Sequence, residues 1–246
     1  MKSGVAAPFS KKLFHLSDFP LYTKRLVIRP LRPTDAEQAY RSIDLDKEVS
    51  QFINRANSLK QKAERFEKLM ASYEMENYGY FALAPIEADD QLIGWVGLTP
   101  LEGHPYTQLL YGLVRKVWGQ GLGTEAAAAM MRYAFQRMKL SELVAVVNPE
   151  NAASRKLLEK IGMTPRGHLN WPRQGLVEVY GIRRREYKPG AIAPVGPAVP
   201  DTAVGSAHPT SANQQSPAPS SDNQNPGGTG PSGPTENSPG RDGQSE

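Results

Sequence analysis

Ten residues in the middle of the chain decide the fold, and they read Val117-Trp118-Gly119-Gln120-Gly121-Leu122-Gly123-Thr124-Glu125-Ala126. Glycines at alternate positions let the backbone turn tightly, so successive amide N–H groups can converge on one point. An alanine-rich helix is expected to begin here, and its unpaired N–H groups and partial positive charge suit an anionic phosphate ester. The stretch predicts a pyrophosphate cradle, with a plain tight connection between strand and helix as the alternative.

Two common glycine loops do not match this stretch. The spacing lacks the two-residue gap of the dinucleotide-binding fingerprint, and no acidic residue ends a second strand about 20 residues further on. A nucleotide-hydrolysing Walker loop needs a lysine before its Ser or Thr, whereas Gly123 is followed directly by Thr124. A Rossmann site and nucleotide hydrolysis are therefore disfavoured.

The composition predicts a soluble protein with one good core. The chain has 246 residues, of which 39% are hydrophobic, and it contains no apolar run of the length that spans a membrane. The first 20 residues do not resemble a secretory signal, and cysteine is absent, so a cytoplasmic location is expected. With four scattered histidines, no metal site is expected.

The composition changes at residue 189. Residues 189–246 hold 11 of the 21 prolines and 9 of the 22 glycines, without any Phe, Trp, Tyr or Leu. Such a segment buries too little apolar surface to offset chain entropy, so we predict a disordered tail that serves as a tether, a partner-binding segment or an inert extension. The whole chain carries +4 and this tail −4, so residues 1–188 carry about +8. Because no basic run has interleaved aromatics, an anionic cofactor or an acidic substrate surface is favoured over nucleic acid.

Hydrophobic periodicity predicts one α/β domain with a mixed sheet. Capping boxes at Thr34 with Glu37 and at Ser58 with Gln61 are expected to start the first two helices. The predicted strands cover residues 25–31, 80–84, 91–98, 108–115, 143–147, 163–169 and 177–184. The predicted helices follow Thr34, extend from Ser58 to about residue 77, cover residues 122–138, and extend from Asn151 to Gly162.

Three segments in this order resemble the GNAT acetyltransferases, and within them the RimJ/RimL-like branch. They are residues 22–31, residues 111–126, and residues 151–163, which begin Asn-Ala-Ala-Ser and end Lys-Ile-Gly-Met. The resemblance implies a single domain over residues 21–188 with a central mixed, mostly antiparallel sheet flanked by helices. Residues 1–20 are then an N-terminal extension.

The resemblance also implies acetyl-CoA as the acyl donor. Its pyrophosphate is expected to bind the glycine stretch, and its pantetheine arm the main chain of two strand residues. Asn151 matches a cofactor-facing asparagine of the family, although it also suits a plain helix N-cap. Trp118 stands where the family pattern usually begins with Gln or Arg, which leaves the backbone grip on phosphate intact. The expected cofactor-binding residues are Leu113, Val114, Gly119, Gln120, Gly121, Gly123, Thr124 and Asn151.

The expected chemistry is attack by a neutral amine on a thioester carbonyl, which needs an oxyanion donor and an acid for the leaving thiolate. An N–H near Val114 is the expected oxyanion donor. Many relatives supply the acid as a Tyr four residues after position 154, but Leu158 stands there. By resemblance to RimL-type members Ser154 is the candidate catalytic acid. The alternative is a helix residue that satisfies backbone groups.

The general base is open. Many relatives carry a Glu three residues before Tyr111, where this chain has Gln108, and glutamine cannot accept the proton. Glu102, His104 and Glu178 are substitutes, although each also suits a solvated surface position. An α-amine with an unperturbed pKa of about 7.7 to 8.0 needs little help, which favours an N-terminal amine over lysine. Tyr111 is assigned no role, because aromatic residues at such positions are more often core.

The resemblance implies N-acetyl transfer to a peptide N-terminus of the ribosomal-protein type or to a small amine, by direct attack in a ternary complex. The alternative is a catalytically weak acyl-CoA-binding sensor on the same fold, which Gln108 and Leu158 motivate. The expected partners are acetyl-CoA and an amine, without membrane or nucleic acid. A homodimer is compatible with the sequence.

Overall fold

The computed structural model describes residues 15–75, 79–171 and 175–189. Its centre is an eight-stranded sheet in the order β1-β2-β3-β4-β5-β6-β8-β7. The strands are β1 (Leu21–Tyr22), β2 (Leu26–Pro30), β3 (Gly79–Pro85), β4 (Gly94–Pro100), β5 (Thr107–Leu113), β6 (Glu142–Val147), β7 (Thr164–Trp171) and β8 (Gly175–Arg183). The helices that flank it are α1 (Asp35–Ala39), α2 (Lys47–Ser50), α3 (Leu59–Met75), α4 (Leu122–Gln136) and α5 (Ala152–Lys160). The predicted fold class, a mixed and mostly antiparallel sheet between helices, is confirmed.

The sheet has two antiparallel blocks that meet at one parallel pair. Strands β1 to β5 form the first block, and β6, β8 and β7 form the second. The two blocks join through β5 and β6, whose parallel register is a single pair, Gln108 opposite Val144. The register does not continue beyond that pair, from which we infer a gap between the two strands towards their carboxyl ends, at Leu113 and Val147.

The core extends to the N-terminal side of the expected domain boundary at residue 21. Phe19 is buried and stacks on Phe81 with ring centroids 3.7 Å apart, and it also contacts Tyr133 of α4. The Tyr133 hydroxyl donates to Asp18 Oδ2 at 3.0 Å and accepts from the His15 main-chain N–H at 3.2 Å. Residues 15–20 are thus part of the folded structure, although the sequence assigns them to an extension.

The buried residues of helix α4 include a run of small side chains that packs with the sheet. Its four consecutive alanines, residues 126–129, are all buried, and the helix packs against β2, β4 and β5. A helix with short side chains can approach a sheet closely and gain dispersion contacts over its whole length. The glycine stretch at its amino end is therefore attached to a rigid element.

Two buried ion pairs fix the chain between β2 and α3. Arg29 of β2 makes a bidentate contact to Asp35 of α1, with both N–O distances 2.8 Å. Asp44, in a π-helical turn at Tyr40–Asp44, lies 2.7 Å from Lys62 Nζ of α3 and accepts from a main-chain N–H with its other oxygen. Removing one partner of such a pair would leave a buried charge uncompensated, so these contacts hold the segment firmly.

The two predicted capping boxes differ in outcome. At the start of α3, Ser58 Oγ accepts from the Gln61 N–H at 3.1 Å, as predicted, whereas Gln61 Oε1 accepts from the Asn57 N–H at 2.7 Å instead of that of Ser58. The prediction for Thr34 is wrong, because its side chain makes no capping bond. Its backbone is already helical, and Asp35 accepts from the Arg32 N–H instead.

Two remaining expectations concern the ends of the chain and the membrane. Apart from Pro189, the predicted tail at residues 189–246 lies outside the described residues. Within the described ranges, the helices are too short or too polar to cross a lipid bilayer.

Candidate active site

The glycine stretch forms a loop that opens directly into α4. Gly119 and Gly121 have φ values of +75° and +76°, in the left-handed region that favours glycine. The first intrahelical bond runs from the Glu125 N–H to the Gly121 carbonyl at 3.1 Å. The amides of residues 122–124 therefore precede the helical hydrogen-bond ladder, and they are the donors that an anion at a helix amino end accepts from.

The third glycine brings the loop against β5 and α5. A Cβ placed on Gly123 would lie 3.0 Å from Leu157 Cδ1 and 3.3 Å from Leu113 Cδ1. The first turn of α4 thus packs against one side chain from β5 and one from α5, which border the gap. The loop, Leu113 and α5 are thus brought together around the carboxyl end of β5.

The main chain at the end of β5 requires a correction. The sequence assigns the oxyanion to an N–H near Val114, and the N–H of Val114 itself is excluded because it donates to the Ile93 carbonyl at 3.0 Å. In an antiparallel pair, successive residues direct their N–H and C=O groups alternately towards the partner strand and away from it. Because Val114 faces the β4 side, Tyr111 and Leu113 direct their groups towards β6 and the gap. The Leu113 carbonyl accepts from Trp118 Nε1 at 2.9 Å. The groups that face the gap are therefore the N–H groups of Leu113 and Tyr111.

Ser154 meets a tyrosine across the gap. Ser154 Oγ lies 2.8 Å from the Tyr111 hydroxyl, so a β5 side chain contacts the first turn of α5. The Ser154 N–H donates to Asn151 Oδ1 at 3.0 Å, so Asn151 is the N-cap of α5. Burial raises the pKa of Tyr111 to about 12, although the hydrogen bond with Ser154 lowers it. The phenol therefore stays protonated at neutral pH.

The structure separates the candidate bases. Glu102 and His104 are exposed on the turn before β5, about 20 Å along that strand from Leu113. Glu178 of β8 lies opposite Val147, at the end of β6 that borders the gap. Its Oε2 is 3.9 Å from Arg155 Nε, and both atoms are buried without a hydrogen-bond partner among the described residues. Of the three candidates, Glu178 alone lies at the carboxyl end of the gap.

A charged cleft adjoins the end of β5. It has a volume of about 490 Å³, and the residues that line it are Arg41, Ser42, Leu45, Asp46, Lys47, Glu48 and Arg115. Arg115 Nε lies 3.1 Å from Asp46 Oδ2, and Leu45 is 55% exposed in the same segment. The buried contact between Asp44 and Lys62 holds this wall of the cleft in place.

The chemistry of the site is that of side-chain hydroxyls and main-chain amides. Among the described residues, no three His, Cys, Asp or Glu side chains gather where they could hold a metal ion. The functional groups are instead the glycine loop, the inward-facing amides of β5 and the pair of hydroxyls.

Comparison with known proteins decides the family. A family model described as an acetyltransferase (GNAT) domain matches residues 25–164, more than half of the chain. The chain belongs to the GNAT acetyltransferase family. This GNAT chain is 30% identical over 155 residues to a protein named uncharacterized N-acetyltransferase YoaA from Bacillus subtilis, a match that covers 61% of the chain and 86% of YoaA.

Solved structures of ribosomal-protein acetyltransferases share the fold of this GNAT domain. Mycobacterium smegmatis RimJ in complex with CoA-disulfide superposes with a TM-score of 0.60 and 18% identity, over 70% of this chain and 92% of RimJ. A ribosomal-protein-S5-alanine acetyltransferase from Vibrio fischeri gives 0.59 and 16%, over 70% and 100% of the two chains. At these identities the likeness concerns the fold alone.

The sequence missed three residues of this GNAT site. Tyr111 has a contact with Ser154 that only the sheet register reveals. Trp118, noted only as a departure from the family pattern, ties the glycine loop to the Leu113 carbonyl. Arg25 reaches the carbonyl of Gln120 from the connection between β1 and β2. The contact of Tyr111 spans 43 residues, that of Trp118 spans 5 and that of Arg25 spans 95. No local sequence pattern signals any of them.

Proposed function

We propose that this GNAT protein transfers the acetyl group of acetyl-CoA to a primary amine, with both substrates bound in one complex. The observation that carries the proposal is the pair of hydroxyls of Tyr111 and Ser154. The pair lies beside the gap in the sheet, next to a loop built to bind an anion. We expect a peptide N-terminus of the ribosomal-protein type or a small-molecule amine as acceptor, since names of structural relatives refer to ribosomal proteins.

The residues present fit coenzyme A. The left-handed glycines and the amides of residues 122–124 offer donors to a pyrophosphate, with Gln120 and Thr124 inside the same cradle. The inward N–H groups of β5 offer donors to an extended arm in the gap. Asn151, which caps α5, supports that wall of the site and is proposed to face the cofactor.

Acetyl-CoA supplies the acyl group: a bond forms between its carbonyl carbon and the amine nitrogen, the carbon–sulfur bond breaks, and the thiolate takes up a proton. In our proposal the N–H of Leu113, rather than that of Val114, stabilises the carbonyl oxygen. The hydroxyls of Tyr111 and Ser154 lie 2.8 Å apart and either can donate; the proposed mechanism uses the arrangement in which the protonated Tyr111 donates to Ser154 Oγ. Ser154 is then left with its own proton to donate towards the sulfur, either directly or through water.

The amine is proposed to enter from the charged cleft beside Arg115, which adjoins the end of β5. Glu178, whose buried Oε2 has no hydrogen-bond partner among the described residues and lies 3.9 Å from Arg155 Nε, is the proposed acceptor of the amine proton through water. An N-terminal α-amine, with a pKa of about 7.7 to 8.0, is partly neutral at physiological pH and demands little of that base.

The proposal is tested by release of free CoA thiol from acetyl-CoA in the presence of amines and peptides, together with calorimetric binding of acetyl-CoA. We expect Ser154→Ala to lower kcat by about 100-fold with an unchanged Kd for acetyl-CoA, because general-acid assistance acts only in the reaction. Tyr111→Phe should also lower kcat, but by a smaller factor, because the Tyr111 hydroxyl only orients the serine proton.

Ser72→Ala is the matched control, because it removes the same hydroxyl from a residue whose hydrogen bond, to the Leu69 carbonyl, lies within its own helix. Its turnover should equal that of the wild type. Unchanged turnover in Ser154→Ala would remove that residue from the mechanism. Tight binding of acetyl-CoA without thiol release on any acceptor would favour the sensor over the enzyme.

A further inference from the structure

A clamp of three side chains holds the outer face of the glycine loop. Glu125 of α4 accepts from the Thr23 hydroxyl at 2.6 Å and from the Arg25 N–H at 2.9 Å with one oxygen. Its other oxygen accepts from Arg25 Nε at 2.8 Å and lies 2.7 Å from Nη2. Arg25 Nη1 then donates to the Gln120 carbonyl at 2.9 Å. One guanidinium thus joins the β1–β2 connection, helix α4 and the loop.

The bond to Gln120 determines where the next amide points. The peptide between Gln120 and Gly121 is trans, so the Gly121 N–H is directed opposite to the Gln120 carbonyl. Because Arg25 holds that carbonyl, the N–H is directed away from Arg25. A glycine in the left-handed region has little steric resistance to rotation of this peptide, so without the bond the orientation of the amide would be poorly fixed.

The charge of Arg25 is compensated within the clamp. Burial disfavours the charged form of Glu125, but hydrogen bonds from Thr23 and Arg25 outweigh it and hold the pKa of that carboxyl below its usual value. Glu125 is therefore ionised at neutral pH and neutralises the guanidinium. This balance favours a geometric role for Arg25 over that of a free cation facing the phosphates.

We propose that Arg25 is a positioning residue for the phosphates of coenzyme A, and that it acts through the Gln120 carbonyl by aiming the Gly121 N–H into the cradle. Thr23 and Glu125 hold the guanidinium in the orientation that this requires. The inference rests on the proposed function, because the ligand is the cofactor named there. It assigns a role in the site to Thr23, Arg25 and Glu125, none of which is among the cofactor-binding residues expected from the sequence.

The test compares Arg25→Lys with Arg25→Met by calorimetric titration with CoA. A lysine keeps the charge, but its ammonium cannot bind Glu125 in a bidentate fashion and also reach the Gln120 carbonyl. We therefore expect both variants to raise the Kd for CoA by about tenfold, the equivalent of one good hydrogen bond. Glu125→Gln weakens the clamp from its other side and should change the Kd in the same direction.

A substrate without phosphates separates positioning from general damage. The kcat/KM for S-acetylpantetheine, which has the thioester arm but no pyrophosphate, should be the same in the wild type and the variants. Arg32→Met is the matched control. Arg32 is 45% exposed like Arg25 and lies 2.8 Å from Asp89, but it has no contact with the loop. Its Kd for CoA should be unchanged.

Three results would overturn the inference. Equal CoA affinity in the wild type and both Arg25 variants would show that the clamp does not affect binding. Retained affinity in Arg25→Lys with loss in Arg25→Met would show that charge, and not the fork geometry, is what matters. An equal loss for S-acetylpantetheine would show a general defect. A wild-type chain that binds no CoA would instead remove the proposed function, and this inference with it.

Discussion

Gln108 is a residue whose chemistry is set by the backbone next to it. It is buried at the one point where β5 and β6 pair, and its Nε2 donates to the Pro100 carbonyl at 3.1 Å. That contact needs an N–H donor, which an ionised carboxylate cannot supply. The glutamine therefore has a structural role as a hydrogen-bond donor to the main chain, in addition to being a residue that cannot act as a base.

We expect Gln108→Glu to destabilise the protein at neutral pH by about 1 to 3 kcal/mol, because a buried carboxylate would face a carbonyl oxygen. Burial raises the pKa of such a carboxyl above its unfolded value of about 4.3. The neutral carboxyl can still donate to the Pro100 carbonyl, so the loss of stability should be small below the unfolded pKa. It should grow as the pH rises through the higher pKa of the folded state. Urea unfolding at pH 4 and pH 7 measures the difference.

Gln91→Glu makes the same chemical change at an exposed position in the turn before β4. Its free energy of unfolding, measured relative to the wild type, should change little between the two pH values. A Gln108→Glu variant as stable as the wild type at pH 7 would contradict the prediction.

Single residues of the site were predictable where local chemistry decides them. Asn151 suits a helix N-cap by its position alone, and the bond from the Ser154 N–H agrees. The choice between the main chain of Leu113 and that of Val114 depends on which residues of β5 face β4. A shift of one residue in register reverses that choice, and the sequence of one strand does not specify its register against the next.

At the scale of elements, the glycine loop combines two backbone positions that need glycine with the first turn of a helix. Gly119 has a φ of +75° and no atom within 4 Å of an added Cβ. Gly103, in the exposed turn between β4 and β5, has the same φ and the same open surroundings. The two positions therefore differ only in the element to which they belong.

We expect Gly119→Ala and Gly103→Ala each to cost about 1 to 2 kcal/mol of stability, which is the price of a Cβ in the left-handed region. Only Gly119→Ala should also weaken CoA binding, by about tenfold, because relief of that strain turns amides of the cradle. Thermal unfolding and calorimetric titration of both variants make the comparison. Equal CoA affinity in the two would speak against the loop as the phosphate site.

The long elements were predictable because they are periodic, and the short ones were not. The strands and the helices α3, α4 and α5 lie within a few residues of their predicted bounds. The two-residue β1, the π-helical turn and α2 are absent from the prediction. They are too short to show a period, and buried contacts such as that of Asp44 with Lys62 hold them in place.

At the scale of the whole molecule, the described core ends with Tyr187. Its ring lies 5.0 Å from that of Phe135 in α4, and Glu186 forms an ion pair with Arg166 of β7 at 2.8 Å. The residues after Lys188 have the composition of a chain that cannot form a core of its own. The folded domain should therefore be complete at Lys188.

We expect a chain that ends at Lys188 to keep its Tm within about 2 °C and to keep its turnover, because it retains both contacts. A chain that ends at Arg183 loses them and should melt at a clearly lower temperature. Differential scanning calorimetry and the thiol assay measure both. A loss of activity in the longer of the two would show that the tail takes part in function.

The single parallel pair at Gln108 and Val144 also bears on how the molecule assembles. Within the two blocks some neighbouring strands follow one another directly, whereas β2 and β3 are separated by the segment that carries α1, α2 and α3, and β6 and β8 by α5 and β7. The join between the blocks needs contacts across the whole of α4. In our proposal the active site lies at that join, so a chain that has collapsed without closing it has both blocks of the sheet but no place for a substrate. Recovered catalysis during refolding should thus report closure of the join, which the recovery of helices and strands alone does not.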